Sequence, residues 1–167
     1  MQKVLFFLLV GTWILVGSCR KNLEPNPQGA ALAFSADTVF LDTIFTTIGS
    51  STRLLKVFNP SSELITTDVR LGKGNASYFR MNVNGISGKE VTNVEILPKD
   101  SIYVFIEVTV DVMGAPDLLY TDSILFSTGP FLQHVQLVTL AKDAHFHLPD
   151  RVIQGIPLSI LPCNAVW

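Results

Sequence analysis

The stretch "SIYVFIEVTVD", residues 101–111, alternates without a break. Ile102, Val104, Ile106, Val108 and Val110 fall on one side of an extended chain, with Tyr103, Phe105, Glu107 and Thr109 on the other. Successive side chains of a strand point to opposite faces, so a period of two predicts a β-strand with one face in a core. On a helix the same residues would be scattered around the cylinder instead of forming one stripe. Pro98-Lys99-Asp100 supplies turn chemistry just before the run.

Working outward, the same texture recurs on both sides. Upstream lie "ALAFS", "TVFLDTIFTTIG", "RLLKVFN", "LITTDVRLG", "YFRMNV" and "VTNVEIL"; downstream lie "DSILFST" and "LQHVQLVTLA". Turn residues punctuate them: Pro60-Ser61-Ser62, Gly72-Lys73-Gly74-Asn75, Gly114 to Pro116 and Gly129-Pro130. Asn84-Gly85 is the strongest short turn signal, since both residues accept the positive φ of a two-residue hairpin. No apolar period of 3.6 is sustained after residue 18. Many short strands without intervening helices predict an antiparallel sandwich or small barrel. No tryptophan lies between Trp13 and Trp167, and only Cys19 and Cys163 are present, so an antibody-type core with its central disulfide is excluded.

The N-terminus carries a different signal. Lys3 precedes an apolar run from Val4 to Val16, broken by Gly11 and Thr12. Thirteen residues are too few for the roughly 20 that span a bilayer, and a positive start, a short apolar run and small residues at its end describe an export signal. Val16-Gly17-Ser18-Cys19 resembles the lipobox of bacterial lipoprotein precursors. That resemblance implies cleavage between Ser18 and Cys19 and attachment of diacylglycerol to the Cys19 thiol. Residues 1–18 are then a signal-peptide helix that is removed, and 19–31, polar and proline-bearing, read as a tether between membrane and domain. The 149 residues that remain suffice for one domain with a core of its own, spanning 32–143. With Cys19 lipidated no internal disulfide can form, so stability has to come from burial.

A second resemblance concerns the domain. "LLKVFNPSSELITTDVRL", "YFRMNV" and "ILPKDSIYVFIEVTVD" are similar to the Hydin-like and choice-of-anchor group of immunoglobulin-like domains. "DSILFSTGPFLQHVQLVTLAKD" fits the last hairpin of that group. The resemblance implies an all-β, immunoglobulin-like antiparallel β-sandwich of about seven to nine strands. Together with the lipobox it points to envelope lipoproteins of the Bacteroidetes type, in which such a sandwich often precedes a right-handed β-helix. Four tripeptides, Asp37-Thr38-Val39, Asp42-Thr43-Ile44, Asp100-Ser101-Ile102 and Asp122-Ser123-Ile124, also resemble the O-glycosylation site of exported proteins of these bacteria. Thr38, Thr43, Ser101 and Ser123 are the candidate acceptors. The same tripeptides are good turn chemistry, in which the aliphatic residue opens the next strand.

Catalytic signatures are missing from the reading. His145-x-His147 places two imidazoles on one side of an extended tail, short of the three or four ligands of a zinc site, and His134 reads as an exposed sheet residue. No Gly-x-Ser-x-Gly elbow exists, and Gly72-Lys73-Gly74 lacks the spacing of a phosphate loop. Asp111, Asp117 and Asp122 match no calcium-loop spacing and read as solvated loop acids. Net charge is −2 with scattered basic residues, which predicts no nucleic-acid partner. The expectation is a protein without metal or cofactor, not an enzyme, whose partner is the membrane through its lipid. Its sandwich would serve as scaffold or adhesion module for an unknown glycan or protein. The alternatives are an accessory module of a carbohydrate-binding or carbohydrate-cleaving protein, and a fimbrial subunit. Exposed aromatics along one sheet favour sugar; a missing central strand favours a pilin. The strand pattern stops after "LVTLAKDA", and the apolar "HFHLPDRVIQGIPLSILPCNAVW" with its odd Cys163 reads as a tail, 144–167, that opens a further domain.

Cys19→Ala is expected to leave the fold intact and release the protein from membranes. Labelled palmitate incorporated equally into wild type and variant would refute this.

Overall fold

Each alternating run becomes a strand because extended backbone is what brings a period-two apolar set onto one face. The computed structural model describes residues 24–45, 48–110, 119–142 and 149–158. Through them run β1 (Ala33–Phe34), β2 (Thr38–Phe40), β3 (Ile44–Phe45), β4 (Arg53–Phe58), β5 (Ile65–Leu71), a 3-10 turn (Gly74–Ala76), β6 (Phe79–Val83), β7 (Ile86–Gly88), β8 (Glu90–Ile96), β9 (Ser101–Val108), β10 (Leu119–Thr128), β11 (Phe131–Lys142), β12 (Arg151–Ile153) and β13 (Ile156–Leu158). One sheet has five strands in the order β1-β4-β9-β6-β7. The other has six, β2-β11-β10-β5-β8 with β3 also on β11.

The two inner faces make one core. β9 turns Ile102, Val104, Ile106 and Val108 inward, while Tyr103 and Phe105 stay exposed, as the alternation requires. Leu55, Val57, Phe79, Met81 and Val83 complete that face; Ile65, Val69, Leu71, Ile96, Ile124, Phe126, Val135 and Leu137 come from the other. Rings join across the gap: Phe34 of β1 meets Phe126 of β10 at 4.9 Å, and Phe79 of β6 stacks on Tyr120 of β10 at 5.4 Å. This is an immunoglobulin-like sandwich, with its first strand divided between the sheets as β1 and β2.

Asn59, fully buried at the end of β4, closes one pole. Its side-chain NH2 donates to the carbonyls of Glu63, Ile96 and Leu97, and its Oδ1 accepts the N–H and hydroxyl of Ser61. The Asn59 N–H donates to Asp100 O. One side chain thereby ties the β4–β5 connection to the β8–β9 connection, and each of these crosses between the sheets.

The all-β sandwich is as expected, and four details of it differ from the sequence reading. Strands number eleven in the sandwich, beyond the seven to nine expected, because "ALAFS" and "TVFLDTIFTTIG" break into β1, β2 and β3, and the Asn84-Gly85 hairpin adds the short β7. Pairing is not antiparallel throughout: β2 and β3 run parallel to β11. The tether is shorter than 19–31. Pro25 bridges Leu64, Asn26 N–H donates to Leu64 O at 2.9 Å, and Leu32 exchanges two hydrogen bonds with the Gln133 amide. Gly29 and Gly129, both at positive φ, cross in close contact; a Cβ on Gly29 would lie 2.4 Å from Thr128 O. Lastly, strand pairing does not cease after residue 142, since β12 and β13 form a hairpin around Gln154-Gly155, with every residue exposed. The signal peptide lies outside the described residues.

Ile106→Ala should cost about 2–5 kcal/mol, because the buried side chain leaves a cavity. Glu107→Gln should cost less than about 1 kcal/mol, since its ion pair with Arg80 is half-exposed at 3.6 Å. Urea melts that rank the two the other way would overturn this register.

Asn59→Ala should cost at least about 1–3 kcal/mol, the penalty for leaving buried carbonyls without donors. A thermal melt within error of wild type would remove Asn59 from its role at this pole.

Candidate functional site

The outer face of the five-stranded sheet carries the main concentration of exposed side chains with binding chemistry. Register sets them in a row. Ser87 pairs with Asn82, Asn82 with Phe105, and Phe105 with Leu54, so one line crosses β7, β6, β9 and β4. Tyr103 lies two residues along β9, opposite Lys56. Leu54, Tyr103 and Phe105 are 54%, 45% and 44% exposed, which is unusual for large apolar residues at the centre of a sheet.

Beside Phe105 is a recess of about 490 Å³ lined by Arg80, Asn82, Ser87, Lys89 and Glu107. Neighbours hold each polar group. Asn82 Nδ2 donates to the Ser87 hydroxyl at 2.9 Å while its Oδ1 accepts the Gly85 N–H of the hairpin turn. Arg80 donates to the Thr109 hydroxyl at 2.9 Å, and Glu107 accepts from Thr52 at 2.6 Å. Lys89 sits where β7 leaves one sheet for β8 of the other, and its ammonium donates to the carbonyls of Ser77 and Phe79. It serves in place of the N–H groups a longer β7 would offer. Burial pushes the Lys89 ammonium below the ordinary lysine value; the Arg80 guanidinium adds to this and the Asp122 carboxylate opposes it. The face thus combines flat apolar surface with fixed donors and acceptors of both charges.

The residues singled out from sequence are dispersed. Ser18, Cys19, Asp111, Asp117, His145, His147 and Cys163 lie outside the described residues. His134 is exposed on β11. Thr38 and Ser123 are half-buried within β2 and β10, and Ser101 is the half-buried first residue of β9. Thr43 is exposed between β2 and β3. Hydrogen bonds from Ser51 and then Arg53 hold the Asp42 carboxyl beside it below the usual carboxylate range.

Asp122 corrects the reading of solvated loop acids. It points inward from β10 at 6% exposure, with Oδ1 accepting the N–H groups of Lys73 at 3.0 Å and Ser123 at 2.8 Å. It ties the Gly72–Ser77 connection to the core. Sequence could not reveal this, because Asp122 precedes a serine as a turn acid would. Among the described residues no group of three or more His, Cys, Asp or Glu side chains is placed to hold a metal ion. The row through Phe105 is hidden from sequence for a different reason. Alternation puts Tyr103 and Phe105 on the outer face, but what lies beside them depends on strand order.

No family model matches this sequence, and no curated protein does. Solved structures do. A family 123 glycoside hydrolase from Clostridium perfringens matches at 8% identity and TM-score 0.50, over 71% of this chain and 28% of that one. PapD-like domain 7 of human CEP192 matches at 12% identity and TM-score 0.45, over 78% of this chain and 97% of that one. A FixG-related protein from Vibrio parahaemolyticus matches at 12% identity and TM-score 0.44, over 67% and 95%. At these identities the likeness is one of fold.

Proposed function

We propose that this chain is a lipid-anchored module of the bacterial cell envelope that binds and does not catalyse, and that a glycan is the ligand of its five-stranded sheet. The row Ser87-Asn82-Phe105-Leu54, with Tyr103 alongside, carries the reading. Sugar rings present flat C–H faces and a rim of hydroxyls. Exposed aromatic rings suit the first, and the amide, hydroxyl, guanidinium and carboxylate groups of the recess suit the second. About 490 Å³ falls within the range of small-ligand sites. Holding the polar groups in advance limits the side-chain entropy lost on binding.

The carbohydrate-binding alternative is thereby favoured over a bare scaffold. A fimbrial subunit would need a gap for a neighbour's strand, whereas β11 fills its place in the six-stranded sheet over twelve residues. Membrane attachment rests on the lipobox at Val16-Gly17-Ser18-Cys19, and an outer-membrane location, on either face, is part of the same proposal through the likeness to Bacteroidetes-type lipoproteins. Of the four tripeptides, Asp42-Thr43-Ile44 offers the most accessible hydroxyl for O-glycosylation.

A panel of bacterial and plant polysaccharides, screened by affinity electrophoresis and then calorimetry, tests the ligand. Phe105→Ala and Tyr103→Ala should each weaken binding about tenfold or more, equivalent to ~1.4 kcal/mol, with the thermal melt unchanged. Full affinity in the double variant, or no retention by any glycan, would exclude the sheet face as a sugar site.

A further inference from the structure

We infer that the pole of the sandwich carrying the Gly129-Pro130 turn rests on the membrane surface, with Phe131 and Leu132 reaching the headgroup layer. The inference builds on lipidation of Cys19 as proposed above, and its source is the length of chain left free. Five residues separate Cys19 from Pro25, and Pro25 is already bridged to Leu64 on the domain. Six Cα steps reach at most about 20 Å when fully extended. Roughly 5–8 Å of that crosses the headgroup layer, the difference between hydrocarbon and total bilayer thickness on one side. The slack that remains is less than the length of a long strand.

The same contacts decide which pole faces down. After Pro25 the chain turns at Asn26 and passes against the β10–β11 turn, where a Cβ on Gly129 would lie 2.9 Å from Gln28 O. The tether therefore leaves from beside that hairpin. Phe131 and Leu132 are consecutive, so their side chains point to opposite sides of β11, yet they are 41% and 65% exposed. A strand that bordered the core here would bury one of the two. The hairpin end instead projects past the core with apolar groups on both sides, and Leu97, 48% exposed in the β8–β9 connection, lies at the same pole. Aromatic and aliphatic side chains are favoured at the boundary between headgroups and acyl chains. An occupant of that chemistry is what the short tether brings within reach. The strands then stand away from the membrane, and the Tyr103–Phe105 face looks sideways, open to ligand.

The test uses the full lipidated protein in vesicles of phosphatidylethanolamine and phosphatidylglycerol. With Cys163→Ser removing the other thiol, a nitroxide is attached at Leu132→Cys, at Leu97→Cys, or at Asn75→Cys on the far pole. All three sites are exposed, so the core is untouched. The expected result is several-fold higher collision with oxygen, and lower collision with a water-soluble nickel reagent, at 132 and 97 than at 75. Nitroxides at 132 and 75 that respond alike, in protein that carries labelled palmitate, would overturn the membrane contact and leave the anchor standing. Shielding of 132 from both reagents would also overturn it, by indicating a protein contact. Protein without palmitate that stays in the supernatant would remove the anchor, and the inference with it.

Discussion

Asn59 sets the constraint on which the other features depend. A β-sandwich must pass its chain between sheets, and each passage buries backbone groups that no ladder satisfies. Here two such passages, β4 to β5 and β8 to β9, meet at one pole, and a single buried amide donates to carbonyls of both while accepting from Ser61 of the first. Because the carbonyls of Ile96 and Leu97 and the turn at Ser61 are tied to one side chain, the start of β9 is placed against the end of β4. That fixes the register Phe105–Leu54, and with it the row of exposed groups on the outer face. A buried amide with its hydrogen bonds made adds little net stability, but removing it strands several groups at once.

The opposite pole is closed by charge as well as by hydrogen bonds. Asp122 holds the Gly72–Ser77 connection through backbone N–H groups, Lys73 lies over the Tyr120 ring at 4.1 Å, and Lys89 caps the carbonyls that β7 leaves open. Lys89 is also a wall of the recess, so a structural lysine lends its charge to the candidate site. The recess exists because β7 is only three residues long and departs for the other sheet just beyond Gly88.

Short or broken edges recur around the molecule. β1 has two residues and β7 three; β2 and β3 are separate strands on β11; and β8 carries a bulge at Asn93, whose N–H is held by Asp68 at 2.8 Å. Glu90 and Glu95 add charge along that last edge. Such edges resist pairing with further strands. The outer face of the five-stranded sheet, with Leu54, Tyr103 and Phe105 exposed, is the surface on which the proposed recognition rests.

The strands were legible in sequence because a period of two is a local property: Ile102, Val104, Ile106 and Val108 declare one face without reference to anything distant. Asn84-Gly85 was legible for the same reason, since positive φ at two successive residues is a demand that the turn itself makes. Strand spacing left a sandwich or a small barrel open, and the immunoglobulin-like arrangement was what the resemblance of "LLKVFNPSSELITTDVRL" and its neighbours implied. Strand order, by contrast, joins residues far apart in the chain. Nothing local told that Asp122, a plausible loop acid, would point into the core, or that 25–31, polar and proline-bearing, would lie docked along Leu64 and Gly129. Those outcomes depend on backbone hydrogen bonds and close glycine crossings between distant segments, which composition does not encode. The candidate site is of the same kind. Sequence determined that Tyr103 and Phe105 face outward; only the pairing of β9 with β4 and β6 decided that Leu54, Asn82 and Ser87 stand beside them.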